Sequence, residues 1–481
     1  MWQLNRKSAQ PLFQQIVTQI INYIQDGTLE PGSKLPPERK LATYYQVNRS
    51  TVNHALDELV SLGWIIRQQG SGTKVASNQL GIQQNSTDRW RRLLPKPFFK
   101  PDPYLEQITE LRMNPMHNQT LLDLQTGDLP LELILDFQFP AISWEQVIKE
   151  EQKISATGYA PLQKIILEQL ATNFNISATK QTLLLTSGST QGISLLLQTL
   201  LQPGDWIATE EPSFLFTLPI FQSQGIALKG IPCDDEGIIV SELEQAILRK
   251  NIKLLYLNPT FQNPTGRSMS LARRYAILAL CKKYYVPIIE DDVFAELNFD
   301  SAIPKLKTLD TEQVIYLGSL SKIFSSSIKI GWLLAPNDLG KRLTLTKRRN
   351  HVETNIFPQL LATAALCSQD YHQQQQTLLK QLQKKSTLFQ KALAPLTDYW
   401  SYEDVSGGLY YWLTWQGENL QRKDWQHFLS EQLLVAPSFL FSSKQNACRI
   451  NYTHLTKDNY LVFQKKLTTI TQKLLQKEQK S

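Results

Sequence analysis

The chain has 481 residues, of which 42% are apolar and 19% are charged, and its formal net charge is +7. This length exceeds what one ordinary hydrophobic core accommodates, so we expect at least two domains. The composition is that of a globular protein. No low-complexity tract occurs and no apolar run reaches the roughly 18 residues of a membrane-spanning helix, which excludes those two classes.

The four cysteines lie far apart, and no CxxC or Cys/His cluster suggests a metal site. Scattered single thiols are typical of a reducing compartment, and the N-terminus has no apolar signal core. We therefore expect a cytoplasmic protein without a membrane partner. The mild positive charge permits nucleic-acid binding but does not require it.

The first elements in the chain are three predicted helices. Apolar residues at helical spacing predict a helix over 11–25, and a connector rich in proline and glycine follows. A second helix is predicted over 37–45, with proline in its first turn, and a third over 49–62. Two short helices joined by a tight turn are typical of a helix-turn-helix, whose second helix can enter the major groove. Residues 64–75 predict two strands around a glycine-rich tip, which is a wing.

Three motifs in this region resemble those of a GntR-type winged helix, over residues 11–76. They are Pro-Gly-Ser-Lys-Leu-Pro-Pro-Glu-Arg-Lys-Leu-Ala, Val-Asn-Arg-Ser-Thr-Val and Gly-Ser-Gly-Thr-Lys-Val, in that order. The resemblance implies that residues 1–78 form a domain that binds a double-stranded DNA operator. The contacts that we expect with DNA are Arg39, Arg49, Ser50, Thr51, Asn53, Arg67, Gln69, Gly70 and Lys74. The alternative is an ordinary three-helix bundle with solvated charges.

Residues 79–108 change in character. A polar stretch is followed by a run of arginines and lysines with four interleaved prolines. This composition favours an extended, semi-rigid linker, and its aromatic residues suggest that parts of it dock on a surface.

From residue 109 onward, apolar strand-like runs alternate with longer helical patterns. The runs at 182–186, 206–209, 254–257, 286–290 and 314–317 are examples. This alternation predicts an α/β domain with a mainly parallel sheet and a smaller C-terminal α+β part. Ligands of such a domain lie at the carboxyl ends of the strands.

The loops after these strands carry a set of residues that suits pyridoxal phosphate. Lys322 follows a strand and a small-residue turn, so it can hold an aldehyde cofactor as an imine. Asp291 can keep the pyridine nitrogen protonated, and Asn263 can donate to the phenolic oxygen. The remaining expected contacts are Ser187, Gly188 and Ser189 at a helix N-terminus, Ser319 for the phosphate, and Phe214 stacked on the ring.

This order and spacing resemble the aminotransferases of the aspartate aminotransferase fold, over roughly residues 120–470. In that family an arginine near the C-terminus clamps the substrate carboxylate, and Arg449 is its counterpart here. Tyr159, in the matching Gly-Tyr-Ala-Pro-Leu motif, is the second expected effector contact. The whole chain thus resembles a MocR-type regulator, and the resemblance implies a homodimer.

Two positions depart from the family pattern. Phe294 replaces the usual tyrosine whose hydroxyl bonds the phenolic oxygen, and Lys329 replaces the usual arginine that grips the phosphate. Lysine still offers a charge for the phosphate, but not a bidentate fork. These changes affect turnover more than cofactor binding.

Three functions remain open. The leading hypothesis is a regulator that senses pyridoxal phosphate, an amino compound, or both, through imine exchange at Lys322. The second is a working aminotransferase with an appended DNA-binding domain, in which Lys322 acts as general base. The third is a regulator whose large domain is a cofactor-free dimerisation scaffold. The sequence names neither the effector nor the operator.

Overall fold

The computed structural model describes residues 4–6, 10–25, 28–29, 32–62, 64–68, 72–76, 102–113, 121–139, 141–300, 303–350, 353–443 and 446–479. The chain divides into two compact units, Met1–Pro97 and Phe98–Ser481. None of the described helices is both long and apolar enough to cross a bilayer.

The first unit is a winged helix-turn-helix, as predicted. It contains helices α1 (Leu12–Gln25), α2 (Glu38–Tyr45) and α3 (Arg49–Ser61), then strands β1 (Ile65–Gln68) and β2 (Gly72–Val75). Helix α2 ends because Gln46 adopts a left-handed conformation, with φ of 52°, which turns the chain toward α3. The apolar stripes of the three helices meet in one core, and β1 and β2 pair in antiparallel register.

The second unit contains fourteen α-helices among its described residues. They are α4 (Pro103–Met113), α5 (Trp144–Glu151), α6 (Ala160–Phe174), α7 (Ser189–Leu200), α8 (Pro219–Ser223), α9 (Val240–Arg249), α10 (Leu271–Lys283), α11 (Leu306–Leu309), α12 (Ser321–Phe324), α13 (Asn337–Arg349), α14 (Ile356–Leu366), α15 (Tyr371–Leu393), α16 (Gln426–Ser430) and α17 (Tyr460–Glu478). Short 3₁₀ helices are Leu131–Leu133, Phe214–Thr217, Ala295–Leu297, Ala394–Leu396, Arg422–Trp425, Ser438–Phe441 and Tyr452–His454.

The described strands of this unit build a large sheet, a small sheet and a separate pair of two short parallel strands. They are β3 (Leu122–Asp123), β4 (Gln181–Thr186), β5 (Trp206–Glu211), β6 (Ala227–Asp234), β7 (Gly237–Ile238), β8 (Ile252–Leu257), β9 (Ile288–Asp291), β10 (Val314–Ser319), β11 (Gly331–Pro336), β12 (Trp400–Ser401), β13 (Tyr410–Trp415), β14 (Leu433–Leu434), β15 (Ala436–Pro437) and β16 (Ala447–Asn451). The large sheet has the order β4-β11-β10-β9-β8-β5-β6-β7 and the small one β12-β13-β16-β15.

The large sheet is mainly parallel, as predicted, with β11 and β7 as antiparallel members. Its central strands are buried on both faces, which explains their continuous apolar runs. Leu317 of β10 is opposite Asp291 of β9, and Glu290 of β9 is opposite Leu257 of β8. The loops that follow these three strands therefore meet at one edge of the sheet.

Helix α4 crosses the boundary at residue 108 that we predict between linker and large domain. Its Tyr104 and Ile108 are buried in the core that also contains α15, α17 and the small sheet. The Asp102 carboxylate accepts a hydrogen bond from the Tyr104 backbone N–H at 3.0 Å, which caps the helix start. The proline-rich composition before residue 103 concealed this apolar stripe. Residues 77–101 lie outside the described residues.

Candidate cofactor and DNA-binding sites

Lys322 lies in helix α12, immediately after strand β10, and its side chain is 23% exposed. Its Nζ donates to the backbone oxygen of Gly127 at 2.7 Å and lies 3.7 Å from Asp128 Oδ1. The Phe294 ring lies beneath this amine, with its centroid 5.9 Å from Nζ. The amine is therefore held by one backbone oxygen and lies near a half-exposed carboxylate, and its side chain is partly exposed.

Asp291 is the middle residue of three consecutive acids, and its surroundings differ from those of its neighbours. Glu290 forms an ion pair with Arg274, and Asp292 forms one with Lys305 at 2.8 Å. Asp291 has no ion pair among the described residues. Its Oδ2 accepts a hydrogen bond from the Tyr256 hydroxyl. Burial raises the pKa of Asp291 to about 7. A cation placed beside this carboxylate would stabilise its charged form.

Asn258, which follows strand β8, connects the two polar loops of the site. Its Nδ2 donates to the Asp291 backbone oxygen at 2.7 Å, and its Oδ1 accepts from the Asn263 backbone N–H at 2.7 Å. The Asn263 side chain in turn accepts from Arg449 Nη1 at 2.8 Å. Asn263, Asp291 and Arg449 thus belong to one hydrogen-bonded group, although they come from three loops and strands far apart in sequence.

Arg449 is buried on the small sheet, with its guanidinium 4.3 Å from the Tyr410 ring centroid. Its Nη2 donates to the backbone oxygen of Gln125 at 2.7 Å. Its Nε is buried and has no hydrogen-bond partner among the described residues. A buried guanidinium with an unused donor is suited to an anionic ligand.

The segment 124–129 closes the site, and the sequence reasoning did not find it. The backbone oxygen of Gly127 accepts the hydrogen bond from the Lys322 amine. A Cβ at this glycine would lie 3.2 Å from the Tyr410 hydroxyl. The Asn451 Nδ2 donates to the backbone oxygens of Thr126 at 3.1 Å and of Asp128 at 2.9 Å. Tyr256, Asn258, Gly127 and Tyr410 are the functional candidates that we missed. Their only sequence signal is the position of Tyr256 and Asn258 around the end of a predicted strand.

The predicted phosphate contacts lie on two neighbouring turns. Ser187, Gly188 and Ser189 connect β4 to α7, with Gly188 at φ of 83°. This turn packs against Gly331, where a Cβ would meet the Gly188 carbonyl carbon at 2.7 Å. The N-terminus of α7 is therefore next to the turn that follows β10 and carries Lys322.

Ser319 and Lys329 are placed differently from the other phosphate candidates. The Ser319 hydroxyl is buried and donates to the Ile330 backbone oxygen at 3.2 Å. It also accepts from the Ser321 N–H, so its role here is to shape the turn. Lys329 is exposed, in a left-handed conformation with φ of 44°.

A cavity of about 520 Å³ opens beside Asn263 and Arg449. Phe214 lines it, and its ring lies 6.2 Å from the Tyr256 ring. The other walls are mostly apolar and come from the 3₁₀ helix Ser438–Phe441 and from the start of α4. This cavity is our candidate effector site.

Tyr159 is not connected to this group by any hydrogen bond or ring contact of the described residues. Its hydroxyl donates to Glu150 Oε2 at 2.8 Å, and its backbone N–H donates to Gln359 Oε1 at 2.8 Å. Its ring is buried in the core between α6 and the large sheet. Phe294 is also buried and packs edge-on against Tyr410, with 5.7 Å between centroids.

In the winged helix, three predicted DNA contacts converge on one carboxylate. Arg49 donates to Glu38 Oε2 at 3.0 and 3.2 Å, and Arg67 Nη2 lies 3.4 Å from Glu38 Oε1. When the Asn53 amide is oriented so that its nitrogen faces Glu38, this nitrogen donates to both Glu38 carboxylate oxygens. Arg67 also reaches Asp57 at 2.5 Å.

The other described candidates for DNA contact are exposed or half-buried. Arg39 and Ser50 are exposed, and Thr51 and Lys74 are half-buried. Gln69 and Gly70 lie outside the described residues. Arg39 is thus an exposed basic residue outside the Glu38 cluster, which we define as Glu38, Arg49, Asn53 and Arg67.

The residues present fit pyridoxal phosphate. A partly exposed lysine, a buried carboxylate without an ion pair, an amide and a helix N-terminus correspond to its aldehyde, pyridine nitrogen, phenolic oxygen and phosphate. The raised pKa of Asp291 suits a cationic ring, and the Arg449 Nε, which has no partner among the described residues, suits an anionic ligand.

Comparison with known families agrees with this division of the chain. The model of class I and II aminotransferases matches residues 119–467, and that of the GntR family of bacterial regulatory proteins matches residues 12–75. Among solved structures, the chain is similar to the kynurenine aminotransferase of Pyrococcus horikoshii, with a TM-score of 0.70 and 23% identity. That match covers 80% of this chain and 98% of the aminotransferase. An archaeal alanine:glyoxylate aminotransferase gives a TM-score of 0.70 and 25% identity over 80% and 99%.

Relatives that match nearly the whole chain are bacterial regulators. The HTH-type transcriptional regulators YdfD and YisV of Bacillus subtilis are each 32% identical to it, over 93% and 94% of this chain and 94% of each relative. NorG of Staphylococcus aureus is 26% identical over 89% of this chain and 96% of its own length. The aminotransferase fold indicates pyridoxal phosphate as the cofactor. The chain therefore belongs to the class I and II aminotransferase family and, with its GntR winged helix, has the architecture of the MocR-type HTH transcriptional regulators.

Proposed function

We propose that the large domain senses an amino compound, together with pyridoxal phosphate, through exchange of the cofactor's covalent partner at Lys322, and that this exchange alters operator binding. The observation that carries the proposal is the position of the Lys322 amine. It is partly exposed, it lies 2.7 Å from the Gly127 oxygen, and it acts electrostatically on Asp291. When bound, pyridoxal phosphate supplies an aldehyde that condenses reversibly with primary amines, for which Lys322 and an effector amine would compete.

Each of the residues around Lys322 would contact a different group of the cofactor. Asp291 would balance the charge of the pyridine nitrogen, with the Tyr256 hydroxyl holding its carboxylate and Asn258 holding its backbone oxygen. Asn263 would donate to the phenolic oxygen through its Nδ2, because its Oδ1 is occupied by Arg449. Ser187, Gly188 and Ser189 would surround the phosphate, and the exposed Lys329 would add charge.

The effector that this site favours carries an amine and a carboxylate. Arg449 would bind the carboxylate, since its buried guanidinium has an unused Nε donor. The adjoining cavity of about 520 Å³ is lined by Phe214, Phe439 and Phe441 and would take an apolar side chain. We assign no effector role to the Tyr159 hydroxyl within its own subunit, because Glu150 already binds it.

Part of the wall of this cavity belongs to the predicted linker, so that a ligand in the cavity could act on the linker. Asp102 and Leu105, at the start of α4, line the same cavity as Arg449. Asp102 is bound to Arg422 at 2.5 Å, and the Tyr104 hydroxyl donates to the Val435 backbone oxygen at 3.2 Å. A ligand that contacts this wall would favour one position of α4, and a ligand shifts an equilibrium only through such differential contacts.

The regulator would act as a homodimer on paired half-sites. One winged helix buries little DNA surface, so specific recognition needs a second module. Aminotransferase-like domains that associate would supply it. The oligomeric state is measurable by light scattering on the purified protein, and a monomer at the concentrations used for operator binding would contradict this part of the proposal.

Chemical mapping tests the proposal directly. Purified protein is saturated with pyridoxal phosphate, reduced with borohydride and digested. The mass of the reduced cofactor should appear on the peptide that contains Lys322. Before reduction, addition of the effector amine should shift the absorbance and decrease this label. A label on another lysine, or no label with the cofactor in excess, would show that the site is misassigned.

A turnover assay separates the regulator from a working aminotransferase. Amino acids that shift the absorbance are mixed with a keto-acid acceptor and the products are followed over time. With Phe294 in place of a phenolic donor, we expect at most slow turnover. Rapid, sustained transfer would favour the enzyme.

A further inference from the structure

A second cavity, of about 410 Å³, lies on the other side of the polar loops and shares no lining residue with the effector cavity. It lies where the carboxyl ends of β5, β6 and β8 meet strand β13 of the small sheet. Its volume is in the range of small-molecule sites, which are about 300–1,000 Å³. The proposed chemistry at Lys322 does not use it.

The walls of this cavity combine aromatic rings with negative charge. Trp412 and Trp415 come from β13, and Met269 lies opposite them on the large domain. Glu210 and Glu211, at the end of β5, provide two carboxylates. Among the described residues neither carboxylate forms an ion pair. Aromatic faces and carboxylates are the groups that bind organic cations.

Glu210 is the key residue, because it is only 2% exposed. Its two oxygens accept hydrogen bonds from the Asn258 backbone N–H at 3.0 and 3.2 Å. Arg267 also lines this cavity, but its guanidinium is paired with other carboxylates: it is bound to Glu403 and lies 3.4 Å from Asp235. Burial raises the pKa of Glu210 to about 8, and a cation bound beside it would favour its ionised form.

Asn258 links this carboxylate to the cofactor site. The residue that donates its backbone N–H to Glu210 also holds the Asp291 and Asn263 backbones through its side chain. A ligand that moves the Glu210 carboxylate would therefore displace Asn258, and with it Asp291 and Asn263, which we expect to contact the pyridine ring. Coupling of this kind is reciprocal, so cofactor and ligand would alter each other's affinity equally.

We propose that this cavity is a second effector site, which binds a small organic cation with an apolar or aromatic body between Glu210 and Trp412 and changes the properties of the cofactor through Asn258. The site is independent of amine exchange at Lys322. It would give the regulator a second input of different chemistry from the amino compound that reacts with the cofactor.

The probe that tests the proposal is benzyltrimethylammonium, which carries a fixed cation beside an aromatic ring. It has no N–H and cannot condense with an aldehyde, so it cannot act through Lys322. Calorimetric titration into the full-length, cofactor-loaded protein should show saturable binding of one molecule per chain. Benzyl alcohol, which has the ring without the charge, should bind at least tenfold more weakly.

Variants locate the binding site. Glu210→Gln keeps an acceptor for Asn258 but removes the charge, and it should weaken binding of the probe at least tenfold. Trp412→Leu should weaken it at least fivefold. The exposed control Glu242→Gln should leave it within twofold of the parent. Circular dichroism and melting curves identify any variant that does not fold, in which case Glu211→Gln replaces Glu210→Gln.

The spectrum tests the coupling. Saturating probe should shift the cofactor absorbance or its affinity in the parent and not in Glu210→Gln. Absence of saturable binding, equal affinity in Glu210→Gln, or binding without any effect on the cofactor would overturn the proposal. Because the probe has no N–H and cannot form an imine, its binding is measured separately from amine exchange, and failure of amine exchange and failure of this second site give different results.

Discussion

The two candidate sites of this chain are built in opposite ways. The winged helix places its DNA-contact candidates within one short motif region, where three of them, Arg49, Asn53 and Arg67, contact the carboxylate of Glu38. The cofactor site brings together groups separated by hundreds of residues, such as Arg449 and Gln125, which are 324 positions apart. A site of the first kind can be read from local sequence, whereas a site of the second kind depends on the whole fold.

The charged groups of the two sites also differ, because Arg49 of the winged helix is exposed and Asp291 is buried. Arg49 has a side chain that is 57% exposed, so its ion pair with Glu38 is weak and a DNA phosphate can replace the carboxylate. Asp291 is buried, and its pKa is raised to about 7 because its charge has no compensating ion pair. The arginines of the winged helix can thus exchange one anionic partner for another, whereas the buried Asp291 carboxylate needs a cation at one fixed position.

The largest effect is expected at the buried carboxylate. Asp291→Asn should weaken pyridoxal phosphate binding by roughly a hundredfold or more, since loss of one partner of a buried charge pair costs about 3–5 kcal/mol. The parent's affinity should fall as the pH drops through about 7, where Asp291 becomes protonated, and the variant should lose this dependence. Fluorescence titration measures both. The control Asp338→Asn changes an exposed carboxylate and should bind normally.

An exposed arginine should have a smaller effect on a different ligand. Arg49→Ala should weaken operator binding by roughly tenfold to a hundredfold, consistent with about 1–3 kcal/mol for a direct DNA contact. It should leave the cofactor absorbance unchanged. Fluorescence anisotropy with labelled operator measures the affinity, and Arg342→Ala, on the surface of α13, is the matched control. Unaltered affinity would remove Arg49 from the DNA interface.

Restoring the residues that are usual in the family at positions 294 and 329 tests whether these two positions contact the cofactor. The double variant Phe294→Tyr, Lys329→Arg should tighten cofactor binding by up to about tenfold or shift its absorbance, because it regains a phenolic donor and a bidentate phosphate contact. It can also raise any transaminase rate. If affinity, spectrum and turnover all match the parent, the alignment of these two positions is incorrect.

The smallest effect is expected at Glu38. Glu38→Gln removes the carboxylate that competes with phosphate for Arg49 and Arg67, and it should strengthen binding to any DNA by about twofold to fivefold, as expected for exposed ion pairs. The gain should vanish at high salt. Glu110→Gln on α4 is the control. Weaker binding would mean that Glu38 positions these side chains for DNA instead of competing with it.

Sequence patterns predicted the winged helix, the mainly parallel sheet and the family, because each depends on local periodicity or on motifs in fixed order. They also identified Lys322, Asp291, Asn263 and Arg449 as candidates. They could not reveal that Asn258 joins the last three of these groups or that Gly127 covers Lys322, since both facts arise from packing of distant loops. Helix α4 was missed because the prolines before it obscured its apolar stripe.

The central claim is that amine exchange at Lys322 changes DNA binding. Its most direct test is operator affinity of the parent and of Lys322→Ala, each with and without the amine that shifts the parent's absorbance. We predict that the two proteins bind the operator similarly when the amine is absent, and that only the parent's affinity responds when it is added. An identical response in Lys322→Ala would contradict the claim and would leave the large domain as a non-covalent sensor or a dimerisation platform.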